Sequence, residues 1–389
     1  MRPGKVQYLE GLRGIAAMQV VLLHFVSGFM PETAQRAWPP LRVLFDGHTA
    51  VYVFFLISGA VLTPSFARPG PFVAKLAKRA LRLGIPVAAA AVIATLLLAA
   101  WPDAHLRAAV LTGSAWLAMD SSGAPTLAHL AREVSLNSLL LGYREATLFA
   151  PLADRLPPMD QSLDAPFWSL HLELYGSLLV LSLVWLRGRS VWLHRTAVAG
   201  AAALFGTDPM FLFVLGHLFA SVMAVRIGDN ERLCAVLPVA GTLLLAAGLA
   251  LAATKDWRAL ELGRLWLASF ELAAAPNLYQ FASQLAAVLI FAGVLLCSPA
   301  QALLERPTCR QLGRLSFGIY LLHFPILFTV ACLVFIGTSD TLPHTASLAV
   351  VFVLFIGVTV AAAVPFERWI DRPAIALSRR AGAARLHTA

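Results

Sequence analysis

Two residues inside the apolar run from Leu12 to Phe29 can ionise, Arg13 and His24. Such groups are rare within membrane segments, where each costs about 2.5 kcal/mol or more at the bilayer centre. Ten residues separate them. On a helix this is a rise of about 16 Å and close to three full turns, so both share one face. An imidazole with a pKa of about 6.5 is the usual general base at neutral pH. Arg13 offers a fixed positive charge, and Glu10 stands three residues before it, where it can hold the guanidinium. Two plainer readings stand beside these: a histidine that only fills space, and an arginine that only reaches the membrane surface.

Further candidates follow along the chain. Val53 to Gly59 ends in Ser58-Gly59, a pair that permits close helix approach, so packing explains Ser58 taken alone. Lys75, Lys78, Arg79 and Arg82 form a basic run before Pro86. It is either an anchor at the inner surface or a clamp for a phosphate-rich ligand, since arginine can grip phosphate bidentately. The string Phe167-Trp168-Ser169-Leu170-His171-Leu172-Glu173 places a carboxylate well within an apolar span. A buried acid needs a partner, and a histidine or an arginine would supply one. Glu173 could orient His24, hold a substrate, or form a structural ion pair; His171, two residues away, lies off that face. His323 follows Arg314 by about 13 Å of helix, and Pro325 is expected to kink the chain there. His217 has no companion signal and reads as structural.

The elements that must position these residues follow from composition. Hydrophobic residues make up 59% of the 389 and charged ones only 13%, too few to cover a soluble surface. The fold class expected is all-α, a polytopic transmembrane helical bundle of about ten spans, near 12–30, 48–66, 81–101, 166–186, 196–207, 209–226, 234–253, 281–299, 315–337 and 345–366. The fifth is the shortest and is followed at once by Asp208-Pro209. With both termini cytoplasmic, most of the 30 basic residues fall inside, as the positive-inside rule requires. The net charge of +9 is therefore topology, and nucleic acid is not an expected partner. Arg2 and Lys5 precede a run that is too long and too polar for a signal peptide, so it reads as a retained first helix.

Residues 1–375 read as one integral-membrane domain and 376–389 as a basic cytoplasmic tail. The segment 102–165 carries short apolar patches at Val110–Met119 and Ser135–Leu141, expected as interfacial or re-entrant helices. A second outer loop, 254–280, carries Trp257, Trp266 and Tyr279, which suit a membrane interface. Cys234, Cys297, Cys309 and Cys332 lack metal-type spacing, so neither a metal site nor a disulfide is expected.

Taken in order, these strings resemble acyltransferase family 3, the integral-membrane acyltransferases of glycans, lipids and small metabolites. The matching elements are Arg13 with His24, Phe54-Phe55-Leu56-Ile57-Ser58-Gly59, Arg79-x-x-Arg82, Trp168-Ser169-Leu170 with Glu173, and Leu312-Gly313-Arg314-Leu315-Ser316 with Tyr320 and His323. The chain departs from the family in having Glu10 where many members have Asp, and Leu-Tyr-Gly after Glu173 in place of a second acid. The resemblance implies acyl-CoA, most often acetyl-CoA, as cytoplasmic co-substrate, with no tightly bound cofactor. It implies a carbohydrate, lipid-linked glycan or small-metabolite hydroxyl as acceptor, and O-acetyl transfer as the reaction. His24 and Glu173 would be catalytic; Arg13, Lys78, Arg79 and Arg82 would meet the donor; Glu10, Ser58, Trp168, Ser169 and His323 would support them. Membrane lipids are the other partner, and the arginine-over-lysine, alanine-rich composition suggests a bacterial inner membrane. A proton-coupled transporter is the alternative, though neither an inverted repeat nor paired interrupted helices is visible.

Overall fold

Long runs of Leu, Val, Ala and Phe become helices because a backbone crossing hydrocarbon must satisfy its own hydrogen bonds. In the computed structural model, which describes residues 7–119, 125–224, 231–255 and 277–384, eight helices are long and apolar enough to cross a membrane. The principal helices are α1 (Gln7–Phe29), α2 (Gly47–Phe66), α3 (Phe72–Ala100), α4 (Ala104–Thr112), α5 (Trp168–Arg189), α6 (Val191–Phe205), α7 (Met210–Ala224), α8 (Glu231–Thr254), α9 (Leu278–Leu296), α10 (Pro307–Ile326), α11 (His344–Phe366) and α12 (Arg372–Ala384). The expected spans overlap these helices, the ninth running from α10 through a π turn and a further helix, Cys332–Ser339. The fifth and sixth coincide with the shorter apolar helices Val191–Phe205 and Met210–Ala220. The third begins at Phe72, earlier than expected, because the basic run Lys75–Arg82 is itself helical.

The chain forms two compact units. The first comprises Met1–Val20, Ala37–Pro69 and Gly176–Gly313, and the second Val21–Arg36, Gly70–Tyr175 and Arg314–Ala389. Helix α1 therefore contributes Arg13 to the first unit and His24 to the second.

In the first unit α2 packs against α7 and α9, and α8 against α9. The closest approach is at Gly59 of α2 and Gly216 of α7. A Cβ at Gly59 would fall well inside contact with the carbonyl oxygen of Phe213, and one at Gly216 would strike that of Leu56. Only glycine allows the two backbones this proximity. Asp46 caps α2 through Oδ1, which accepts the Thr49 N–H at 3.2 Å. The same carboxylate meets Lys255, whose ammonium also donates to Thr49 Oγ1 at 2.8 Å and Ser283 Oγ at 2.6 Å, tying α2, α8 and α9 together.

In the second unit α12 packs against α3. The tail thus enters as a helix from Arg372, with Ala374 and Ser378 buried. Pro325 and Pro365 do not end their helices. Each is followed, one residue on, by a five-residue π turn, Leu327–Ala331 and Glu367–Asp371. The described residues of 102–165 include α4, a helix over Leu127–Arg132, a π-helical stretch over Glu133–Leu141 and short 3-10 turns. The apolar patch Val110–Met119 is broken at Gly113, which adopts a positive φ of 67° and ends α4. Of the loop 254–280, Trp257 and Trp266 lie outside the described residues, as do Arg2 and Lys5.

Candidate active site

His24, on α1, meets His323, on α10, within the second unit. Their Nδ1 and Nε2 atoms lie 2.7 Å apart, and the rings stack with centroids at 5.0 Å. The hydrogen bonds assign the tautomers. His323 Nδ1 faces two backbone carbonyls, Ile319 O at 3.1 Å and Tyr320 O at 2.8 Å, so it must carry the proton. Its Nε2 is then an acceptor and takes the Nδ1–H of His24. That leaves the lone pair of His24 on Nε2, the arrangement a general base needs. Orientation of His24 was expected from Glu173; the hydrogen bond at its Nδ1 comes from His323.

Aromatic rings complete the setting. Trp116 stacks on His24 with centroids at 5.5 Å, and Phe324 meets its edge at the same separation. Trp116 is placed there because Ser114 Oγ donates to the Ser27 carbonyl at 3.0 Å, and Gly28 lets the turn lie against α1. Nothing in the sequence singled out Trp116, which lies between helices in a stretch without periodicity. One turn before His323, the Tyr320 and Ser169 hydroxyls are 2.7 Å apart. Both reach the Pro166 carbonyl, at 2.9 and 3.2 Å, which fixes the start of α5 against α10. Trp168 beside them is half-buried.

Glu173 is ion-paired with Arg79 in the same unit, and their side chains are only 13% and 8% exposed. This departs from the expected grouping of Arg79 with Lys78 and Arg82, which are exposed on α3. Arg79 points inward because the one carboxylate within that apolar stretch of α5 draws it there, and a buried acid of this kind demands a cation. In the first unit, Arg13 Nη2 donates to Ser58 Oγ at 3.5 Å, and half-buried Glu10 lies on the preceding turn. The structure thus places Arg13 with Ser58, Arg79 with Glu173, Ser169 with Tyr320 and His24 with His323.

His171 Nε2 accepts the Leu148 N–H at 3.2 Å and secures the 102–165 segment. His217, which had no companion signal in the sequence, pairs with Thr63 Oγ1 at 2.8 Å and His194 at 2.9 Å. Sequence reasoning missed the cluster around Glu133, whose carboxylate accepts from Tyr143, from Ser138 at 2.7 Å and from the Leu163 N–H at 3.4 Å. Burial raises the Glu133 pKa, and burial together with the Glu133 charge pushes Asp164 well above the ordinary range. Its only signal was an acid followed after ten residues by a tyrosine, a spacing with no periodic meaning.

A family model described as an acyltransferase domain matches residues 6–368, nearly the whole chain. No curated protein and no solved structure matches.

Proposed function

The chain belongs to this acyltransferase-domain family and is an integral-membrane acyltransferase, and from that premise we propose an O-acyltransferase that moves an acetyl group from cytoplasmic acetyl-CoA to a hydroxyl of a glycan, glycolipid or small metabolite. The observation that carries this reading is the His24–His323 pair, anchored at His323 Nδ1 by backbone carbonyls.

The acceptor O–H gives its proton to His24 Nε2 as its oxygen attacks the thioester carbonyl. A C–O bond forms, the C–S bond breaks, and the imidazolium returns the proton to the departing thiolate sulfur. His323 stabilises the imidazolium by accepting from Nδ1, in the manner of a hydrogen-bonded orienting group. The stacked Trp116 face adds cation–π attraction as the ring becomes charged. Exposed Lys78 and Arg82 meet the donor phosphates, and the buried Arg79–Glu173 pair acts by fixing α3 against α5. Relay of the acyl group through His24 is the variant of this scheme, with the same residues. Family membership removes the ground for the transporter alternative.

The test uses the protein in nanodiscs with acetyl-CoA radiolabelled in the acetyl group and a membrane glycolipid fraction as acceptor. Label should enter the acceptor fraction with stoichiometric release of thiol, and His24→Ala should abolish both while remaining monodisperse. Substantial turnover in His24→Ala would refute the mechanism, and the absence of acetyl-CoA binding by folded wild type would refute the donor.

A further inference from the structure

Gln19 and Asp46 stand at one end of a cavity that the histidine site does not use. The cavity measures about 170 Å³ and is lined wholly by the first unit, chiefly by α1, α2, α8 and α9. On α1 its wall is Leu12, Ile15 and Gln19, and on α8 it is Leu245, Leu249 and Ala252. Both sets follow the three-and-four spacing of one helical face over seven residues, a run of about 10 Å. Ile290 and Val294 of α9, four residues apart, add a third wall. All of these stretches belong to helices long and apolar enough to cross a membrane.

The polar groups at the Gln19 end hold one another. Gln19 Nε2 donates to the Val43 carbonyl at 2.7 Å, and Asp46 is engaged by the Thr49 N–H and by Lys255. The rest of the lining is Leu, Ile, Val and Ala, without a lysine or an arginine. An apolar cavity of this kind stays dry and takes hydrocarbon, and one of about 150 Å³ admits a six-carbon ring. The most exposed lining residues, Ile15, Leu249 and Leu303, are also apolar, so the mouth suits lipid rather than water. An extended chain advances about 1.2 Å per bond, so the 10 Å run matches about eight bonds. A helix from another protein is about 10–12 Å across and is too wide to enter.

The geometry points to a slot for one acyl chain of a bilayer phospholipid, with about eight of its carbons lying between α1 and α8. The bilayer that surrounds these four helices supplies the chain. A polyphosphate donor finds no cation in the lining, which favours the phospholipid over an acyl-CoA as the source. The slot is independent of the acyl-transfer reading, and failure of either leaves the other standing.

The full chain in dodecyl maltoside is titrated with phosphatidylethanolamine carrying a diazirine midway along one chain, irradiated, and mapped by peptide mass spectrometry. Label on residues 245–252 and 290–294 should saturate, while label at Val353, an exposed valine of α11, should rise without saturating. Ala252→Leu and Ala300→Leu narrow the cavity from two different helices. Each should cut the slot label about fivefold and leave the Val353 label unchanged. Slot label that climbs in parallel with Val353, or that survives both substitutions, would reduce the slot to ordinary lipid contact and overturn it. Displacement of the label by palmitoyl-CoA but not by unlabelled phosphatidylethanolamine would give the cavity to an acyl donor and overturn the phospholipid assignment. Where a leucine variant is not monodisperse, the wild-type titration and the competition decide alone.

Discussion

His24 and His323, separated by 299 positions in the chain, share a hydrogen bond of 2.7 Å with their rings nearly parallel. The pair gives His323 a positioning role that can be tested apart from His24. His323→Ala removes the acceptor for His24 Nδ1–H, so the base loses its preferred tautomer while the substrate contacts remain. We expect kcat to fall about 10- to 100-fold with KM for the donor little changed. His323→Gln, whose amide oxygen can accept the same proton, should recover part of the loss. Equal kcat in alanine and wild type would sink the role.

The Arg79–Glu173 pair makes a different prediction. Each charge is buried by virtue of the other, so removing one strands its partner. Arg79→Ala and Glu173→Gln should each destabilise the folded protein by about 3–5 kcal/mol, while the double change to leucine should cost less than the sum of the two. Thermal unfolding in detergent reads this directly. Arg82→Ala, on the exposed side of the same helix, should leave the unfolding temperature near wild type and raise KM for acetyl-CoA. An Arg82 variant as unstable as the Arg79 variant would show that the two arginines share one environment after all.

These two pairs mark how far the sequence could be read. The helical class was legible because an apolar run long enough to cross a membrane has few other fates; Arg13 and His24 stood out on one such run, but their partners Ser58 and His323 did not follow from it. Arg79 and Arg82 are three residues apart, a spacing compatible with one shared face. Which of them turns inward depends on Glu173, 94 positions away, and helical periodicity carries no such information. The partner of His24 was hidden for the same reason, although His323 itself stood out as a histidine in an apolar run. Trp116 was invisible because it lies in a turn, positioned by the Ser114 bond to the Ser27 carbonyl. Pro325 was expected to kink its helix, and the π turn that follows it over Leu327–Ala331 had no signal in the sequence.

The carboxyl cluster outside the spans predicts a pH dependence. Glu133 and Asp164 have raised pKa values because burial disfavours their charged forms. In the unfolded chain both ionise at about pH 4. Their stabilising contribution is therefore complete below that pH and is lost as pH rises toward their folded values. Glu133→Gln and Asp164→Asn should each flatten the fall in unfolding temperature between pH 5 and pH 8 relative to wild type. Ion-paired carboxylates such as Glu173 and Glu367 are common to all three proteins, so the difference between the curves isolates the cluster. Parallel curves would place both groups in their ordinary range.

The first unit offers a test of how α2, α8 and α9 are held. Lys255 is almost wholly buried, and its ammonium is satisfied by Asp46, Thr49 and Ser283. Burial lowers its pKa, and the Asp46 carboxylate opposes that shift. Asp46→Asn keeps an oxygen to cap α2 but removes the counter-charge, so Lys255 must shed its proton or draw water inward. We expect a loss of about 3 kcal/mol or more at pH 7. Deprotonation relieves the stranded charge, so the deficit should shrink as pH rises toward 9. Lys255→Met in the Asp46→Asn background should restore much of the stability, because a methionine of similar length leaves no charge to satisfy. A double variant no more stable than Asp46→Asn alone would mean that a stranded Lys255 charge is not what destabilises the single variant.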